Sequence, residues 1–169
     1  LYNVIFAGQF CEYGKVGSDL TLEEKYIEDT SSEDEWNWKP LDKVSIDVRV
    51  SNENDDSKIS TTVELKFVDK DGKDANSDFV DDEDTLTQDI KIAKNSHETL
   101  TFDLEISPNV NIGDYTLYVK AYKDGDEEIQ CTSLSVAKKI VIDKENQDVV
   151  ISNIEGPDSA SCNSNVEFK

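Results

Sequence analysis

The chain has 169 residues, of which 38 are acidic and 17 are basic, so its formal net charge at neutral pH is −21. A field of this sign repels nucleic-acid phosphates and anionic lipid headgroups, so we expect no nucleic-acid partner and no anionic membrane partner, whereas cations are natural counter-ions. No apolar run is long enough to cross a bilayer, which predicts no membrane insertion in this part of the protein.

The segment 1–10 is almost wholly apolar up to Ala7, and two interpretations of it stay open. It is typical of the end of a signal peptide's hydrophobic region, and it is also typical of a β-strand. An apolar strand outside its own domain needs a groove that buries it, which predicts an assembly strand donated to a neighbouring subunit. The residues of that candidate strand are Leu1, Tyr2, Val4, Ile5 and Phe6.

Strand patterns recur from residue 20 to residue 143, and no amphipathic helix is predicted. In 44–50 the apolar residues alternate strictly with polar ones, as expected for a strand with one buried and one solvated face. The predicted strands, in chain order, are 20–27, 44–50, 59–67, 86–92, 100–106, 115–122, 127–136 and 139–143.

The connections support an all-β chain. Asp71-Gly72 and Asp124-Gly125 are typical of tight hairpin turns, and Pro108 ends a strand because proline cannot donate to a ladder. The pattern predicts an immunoglobulin-like β-sandwich of about seven to eight antiparallel strands over 11–143. We expect a linker at 144–148, and then at 149–169 either the start of a second β domain or an extended strand given to a neighbour.

The three cysteines, Cys11, Cys131 and Cys162, have no metal-type spacing. For a secreted protein we expect a disulfide between Cys11 and Cys131, which on the chain-entropy model contributes roughly 4–5 kcal/mol. Cys162 would then have its partner beyond this chain segment or in a second molecule.

The sequence offers little for catalysis. His97 is the only histidine, and the run 94–98 around it is typical of a loop. Without a second histidine, a His/Cys pair or a G-x-S-x-G turn, nucleophilic and general-base mechanisms have no framework. We therefore expect no enzyme activity.

Acidic clusters suggest a weak extracellular Ca²⁺ site, since hard cations prefer several oxygen ligands at alternating positions. The candidate ligands are Asp69, Asp71, Asp74, Asp81, Asp82 and Asp84. An EF-hand is excluded because its last acidic position would fall on Val80. The competing interpretation is that each cluster is a solvated turn.

Four aromatic residues are candidates for contact with a glycan or another domain: Trp36, Trp38, Tyr118 and Tyr122. Tryptophan is enriched at binding hot spots, and the tyrosines are outward if Leu117 and Val119 point inward. The alternative for the tryptophans is that they belong to the core at the sandwich edge.

Three stretches carry a family resemblance. They are the spacing of Cys11, Gly14 and the run Gly17-Ser18-Asp19-Leu20, the run Trp38-Lys39-Pro40-Leu41-Asp42, and the run from Gly113 to Tyr122. Over about residues 8–143 the chain resembles the N-terminal domain of surface-layer (S-layer) proteins of small archaea of the nanoarchaeal and woesearchaeal type. The resemblance implies tandem immunoglobulin-like domains on the cell exterior that assemble with copies of themselves and use divalent cations. It implies no catalytic residues.

The step Gly113-Asp114-Tyr115 is also similar to the tyrosine corner of such sandwiches, in which the tyrosine hydroxyl bonds to upstream backbone. The sequence as a whole predicts a non-catalytic component of an extracellular, self-assembling cell-surface structure, assisted by Ca²⁺. One alternative is a filament subunit that donates the strand 1–10. Another is an adhesion module that binds carbohydrate or a host surface.

Overall fold

The computed structural model describes residues 10–31 and 36–143. In these ranges the chain forms nine β-strands, a single α-helical turn (α1, Asn76–Phe79) and a 3₁₀ turn at Glu83–Leu86. The strands are β1 (Leu20–Asp29), β2 (Asn37–Trp38), β3 (Lys43–Asn52), β4 (Ile59–Val68), β5 (Thr87–Ile92), β6 (Ser96–Glu105), β7 (Gly113–Lys123), β8 (Cys131–Ser135) and β9 (Ile140–Ile142).

Several sequence predictions lie outside the described residues. They are the assembly strand with Leu1, Tyr2, Val4, Ile5 and Phe6, the linker 144–148, the segment 149–169, and the partner of Cys162. Within the described ranges, no helix is both long and apolar enough to span a bilayer.

The strands form two sheets. One has the order β1-β3-β6, and the other has the order β2-β9-β7-β4-β5, with β8 also paired to β7. Both β8 and β9 lie along the same edge of β7, one after the other. The two-residue β2 pairs with β9 in parallel, whereas the remaining strand pairs are antiparallel. The predicted all-β, immunoglobulin-like sandwich is confirmed.

The core arises from the alternation seen in the sequence. On β3 the side chains of Val44, Ile46, Val48 and Val50 are buried, and the register sets Ile46 opposite Phe102 of β6. A shift of one residue would turn this whole apolar face to solvent, so the alternation also fixes the register. Among the residues that the structure describes, the largest fully buried side chain is Trp38, which packs edge-on against Phe67 and Phe79.

The helical turn α1 was not predicted. Phe79 at its end is fully buried and stacks on Phe67 with ring centroids 4.2 Å apart. The Asn76 side chain also accepts a hydrogen bond from the Phe67 amide at 2.8 Å. Four residues are too few for a helical period, so contacts with β4, rather than local pattern, set this turn.

Two turns differ from the predicted hairpins. After the Asp71-Gly72 turn, only an isolated bridge between Val68 and Asp74 forms before α1 begins. After Asp124-Gly125, the next strand begins at Cys131, so the predicted strand start at residue 127 is wrong. Residues 124–130 instead form a turn closed by the hydrogen bond from the Lys123 amide to the Gln130 carbonyl.

The tyrosine corner is present. The Tyr115 hydroxyl donates to the backbone carbonyl of Asn111 at 2.9 Å, and its ring lies edge-on against Phe79 at 4.6 Å. Tyr115 is buried. It therefore ties the connection before β7 to the core.

Candidate functional site: the disulfide-tethered outer face of β4 and β7

A disulfide joins the N-terminal segment to the second sheet. Cys11 and Cys131 are bonded, with their Cα atoms 6.0 Å apart, across 120 positions of sequence. Next to the bridge, Val16 and Cys131 exchange two backbone hydrogen bonds of 2.9 Å. The predicted bridge is confirmed, and it fixes the N-terminal segment to the start of β8.

The segment at the bridge covers a lysine on the outer face of β7. Lys120 is only 7% exposed, although alternation along β7 places it on the side away from the core. Its ammonium forms ion pairs with Glu64 at 2.9 Å and Glu127 at 3.3 Å. The rings of Phe10 and Tyr122 lie 4.9 Å and 4.6 Å from the same nitrogen. A buried lysine is stable only with such partners, so this cluster attaches the N-terminal segment to the sheet.

The two outer tyrosines belong to this face. Tyr118 and Tyr122 are half-buried, and the Tyr122 hydroxyl donates to Glu64 at 2.7 Å. Burial is the main cause that raises the pKa of Tyr122 above its ordinary value, and the hydrogen bond to Glu64 raises it further. The hydroxyl therefore remains a donor at any physiological pH, which completes the network around Lys120.

Sequence reasoning missed Lys120, Glu64, Glu127 and Phe10. The available signal was a lysine between two tyrosines at outward positions of β7, but such positions are usually solvated. Only the disulfide and the turn 124–130 bring Phe10 and Glu127 onto this face.

Glu127 also lies beside the disulfide. One of its carboxylate oxygens accepts a hydrogen bond from the Glu12 amide at 2.8 Å. Among the described residues, Cys11, Glu127 and Cys131 are the only group of three metal-type side chains with ligand atoms within 4.8 Å of one another. Because the two sulfurs are bonded to each other, neither is free to act as a thiolate ligand.

In the first acidic cluster, Asp69, Asp71 and Asp74, the carboxylates of Asp69 and Asp74 accept hydrogen bonds from backbone amides of their own turns. One Asp69 carboxylate oxygen accepts from the amides of Asp71 and Lys73, both at 2.8 Å. Asp74 accepts from the Asn76 amide at 3.0 Å and pairs with Lys66 at 2.8 Å. These contacts favour the turn interpretation over a ligand set.

The second acidic cluster, Asp81, Asp82 and Asp84, lies at the start of the 3₁₀ turn. Asp82 accepts from the Asp84 amide at 3.1 Å and so caps the 3₁₀ turn. Asp81 and Asp82 line an open groove of about 420 Å³ together with Leu41. In the described part of the chain, no three of Asp69, Asp71, Asp74, Asp81, Asp82 and Asp84 have carboxylate oxygens within 4.8 Å of one another. The described residues therefore form no preformed cage from these aspartates, and the Ca²⁺ site stays a prediction.

The tryptophans are part of the core. Trp36 is 4% exposed and Trp38 is 1% exposed, so the interpretation of these two residues as exposed contact aromatics is wrong. Asp29, itself buried, accepts from the Trp36 amide at 2.9 Å and from the Trp38 indole at 2.7 Å. The core alternative is the one that the burial supports, and a glycan-binding surface loses these two anchors.

His97 lies in β6 rather than in the predicted loop. It is exposed and stands opposite Ser51 of β3. As an edge-strand side chain it faces solvent, in agreement with its interpretation as a solvated histidine.

No family model and no curated protein matches the chain. Solved structures do match it. The crystal structure of the C-terminal domain of Wzt is 13% identical, with a TM-score of 0.53 over 83% of each chain. The CARDB domain of a Pyrococcus furiosus protein, solved with di-metal ions, is 14% identical, with a TM-score of 0.47 over 73% of this chain and 87% of that one. Spo0M, a sporulation control protein from Bacillus subtilis, is 12% identical, with a TM-score of 0.43 over 76% of this chain and 51% of that one. The likeness to the Wzt domain shows the β-sandwich fold alone.

Proposed function

We propose that the chain is a non-catalytic structural domain of an extracellular, self-assembling cell-surface structure of the S-layer type. The observation that carries this proposal is the Cys11–Cys131 bridge, which encloses nearly the whole sandwich. Disulfides of this kind persist in oxidising compartments such as the cell exterior. The sandwich and the bridge together provide a rigid unit, which is what a repeating surface layer requires.

The partners in this proposal are copies of the same chain or other surface-layer proteins. A net charge of −21 makes copies repel one another, and divalent cations between their surfaces would reduce that repulsion. Since the six candidate aspartates are dispersed, Ca²⁺ would act at contacts between copies rather than in a preformed cage. The same charge disfavours nucleic acid and anionic membranes as partners.

Negative-stain electron microscopy of the purified protein, with and without millimolar Ca²⁺, tests the proposal. Sodium chloride at matched ionic strength is the control for simple screening. Ordered sheets that form with Ca²⁺ and not in the control are the expected result. Monomers under every condition would overturn self-assembly for this chain.

A second candidate is a filament subunit that donates the strand 1–10 to its neighbour. The observation that favours it is the position of Phe10, which lies over Lys66 and Lys120 and is followed at once by the bridge at Cys11. Phe10, the first described residue, is therefore fixed on the outer face of β4 and β7. Such anchoring would orient a strand for donation.

Deletion of residues 1–9 separates the two candidates, because the variant keeps Phe10, Cys11 and the bridge. If the undeleted chain forms fibres with and without Ca²⁺ and the deletion variant forms none, the result supports the filament. Sheets that persist in the deletion variant would support the layer. The chain without the deletion, under the same conditions, is the matched control.

A further inference from the structure

The disulfide creates a second covalent path through the molecule. A pull on the N-terminal segment reaches Cys11, crosses to Cys131 and continues along β8 and β9 to Asp143. Everything from residue 12 to residue 130, including β1 to β7, lies on a closed loop beside that path. We propose that the Cys11–Cys131 bridge carries tension past the β-sandwich, so that the domain transmits load between its two ends without being pulled apart.

The path that bears the load has little slack. Cys131 stands opposite Tyr122 of β7, and Ile142 stands opposite Gly113. The chain thus takes eleven residue steps from Cys131 to Ile142 along a length that β7 covers in nine. Two extra steps correspond to about 7 Å at ~3.3 Å per residue in a strand. Under tension, the segment 136–139 between β8 and β9 straightens, and then the covalent chain is taut.

Because of this geometry, unfolding of the enclosed loop does not lengthen the path between the two ends of the domain. The work that a pulling force does on a protein is the force multiplied by the length that unfolding releases. The enclosed loop releases no length between the two ends of the path, so tension gives almost no help to its unfolding. Without the bridge, the loop of 120 positions would release on the order of 400 Å at ~3.5 Å per residue.

The enclosed loop holds most of the core. Trp38, Phe67, Phe79 and Phe102 all lie within it, and only Val136, Ile140 and Ile142 among the core residues of the described chain lie on the load path beyond Cys131. The bridge therefore shields from tension the part of the domain that contains most of the buried core. The inference rests on the proposed function only for the source of the tension, which would be neighbouring copies in an assembly.

Single-molecule force spectroscopy on the full chain tests the proposal without any assembly. Cys162→Ser serves as the background, and handles are attached through Gln9→Cys and Lys144→Cys, one on each side of the load path. We expect the oxidised protein to lengthen by no more than on the order of 10 Å before it is taut. The Cys11→Ser/Cys131→Ser variant should release on the order of 400 Å in addition. A long release from the oxidised protein, or none from the serine variant when it is folded, would overturn the proposal.

A second attachment keeps the test decisive if the serine variant does not fold. Moving the first handle to Lys94, between β5 and β6, places the load inside the enclosed loop of the oxidised protein. About 37 residues then separate the handle from Cys131, and we expect a release on the order of 100 Å. A short release from Gln9 together with this longer release from Lys94 supports the proposal. Equal releases from the two attachments contradict it. Because no assembly is involved, failure here would leave the layer proposal standing, and the reverse also holds.

Discussion

The indole nitrogen of Trp38 donates a 2.7 Å hydrogen bond to the carboxylate of Asp29, and both side chains are buried. The same carboxylate accepts from the amides of Trp36 at 2.9 Å and Ser31 at 2.9 Å, and from the Ser31 hydroxyl. One charged group at the end of β1 therefore fixes both sides of the connection to β2.

Asp29→Asn should lower the free energy of unfolding at neutral pH by about 2 kcal/mol, because an amide keeps one acceptor oxygen and loses the charge that strengthens these bonds. Urea denaturation followed by circular dichroism measures the change. Asp55→Asn, on an exposed turn, is the matched control and should be close to neutral.

The Asp29 effect should depend on pH. Burial raises the pKa of Asp29, but the hydrogen bonds from Ser31, Trp36 and Trp38 outweigh it and hold the pKa below the ordinary value of 3.8. A lowered pKa in the folded state contributes stability above the unfolded value, and that stability is lost as the pH falls through the folded value. The gap between wild type and Asp29→Asn should therefore be constant from pH 7 to about 5 and shrink below about 4. A gap that widens in acid would contradict this assignment.

The strands were predictable because their signals are local. The alternation of apolar and polar residues on β3, β4, β6 and β7 predicts which side chains are buried, and it also fixes the register of these strands. The tyrosine corner at Tyr115 was also predictable, from a short motif. The bridge between Cys11 and Cys131 was predictable from an extracellular context, in which it ties the N-terminal segment to a late strand.

The remaining features depend on partners distant in sequence. The acceptor for Trp38 lies nine positions upstream, and the partners of Lys120 include Glu64 on another strand. Aspartates that cap turns have the same spacing as aspartates that bind Ca²⁺, so sequence alone could not separate the two for Asp69 and Asp82.

Tyr115→Phe tests the tyrosine corner. The substitution removes the hydrogen bond to the Asn111 carbonyl and leaves the ring contact with Phe79, so it should cost about 1 kcal/mol of stability. Burial, with Asp78 and Asp69 adding to it, raises the pKa of Tyr115, so the bond should persist into mildly alkaline solution. Thermal unfolding at pH 7 and pH 9 checks both points. Tyr13→Phe, at an exposed tyrosine, is the control.

Lys120→Met tests the cluster that holds the N-terminal segment. It leaves Glu64 and Glu127 without their shared counter-charge, so we expect a loss of about 1–3 kcal/mol in the free energy of unfolding. Both cysteines are buried, and Glu127 accepts a hydrogen bond from the Glu12 amide next to the bridge. Loosening of the cluster should therefore expose Cys11–Cys131, so a dithiol should reduce it faster, as followed by mass spectrometry after alkylation. Lys91→Met, on the exposed edge of β5, should change neither quantity. An unchanged reduction rate in folded Lys120→Met would show that the cluster does not restrict access to the bridge.

The N-terminal segment passes close to the Gln130 side chain at Gly17. A comparison of Gly17→Ala with Gly125→Ala tests this close approach. Both glycines have φ of +73°, where an added Cβ costs about 1 kcal/mol. At Gly125 nothing else lies within 4 Å of the added atom, whereas at Gly17 it would overlap the Gln130 side chain. Gln130 is nearly buried, and its side-chain oxygen accepts from the Asp19 amide at 3.3 Å, so it cannot move without losing that bond.

The Gln130 side chain can move only by giving up its 3.3 Å bond with the Asp19 amide, so we expect Gly17→Ala to be more destabilising than Gly125→Ala by up to about 1 kcal/mol in urea denaturation. In the background Gln130→Ala the obstructing side chain is gone, so the extra cost of Gly17→Ala should largely disappear, which a double-mutant cycle measures. Equal costs for the two glycine variants, or no coupling to Gln130, would show that the segment relaxes away from Gln130. The segment would then be held by the Cys11–Cys131 bridge and the Val16 backbone bonds rather than by close packing.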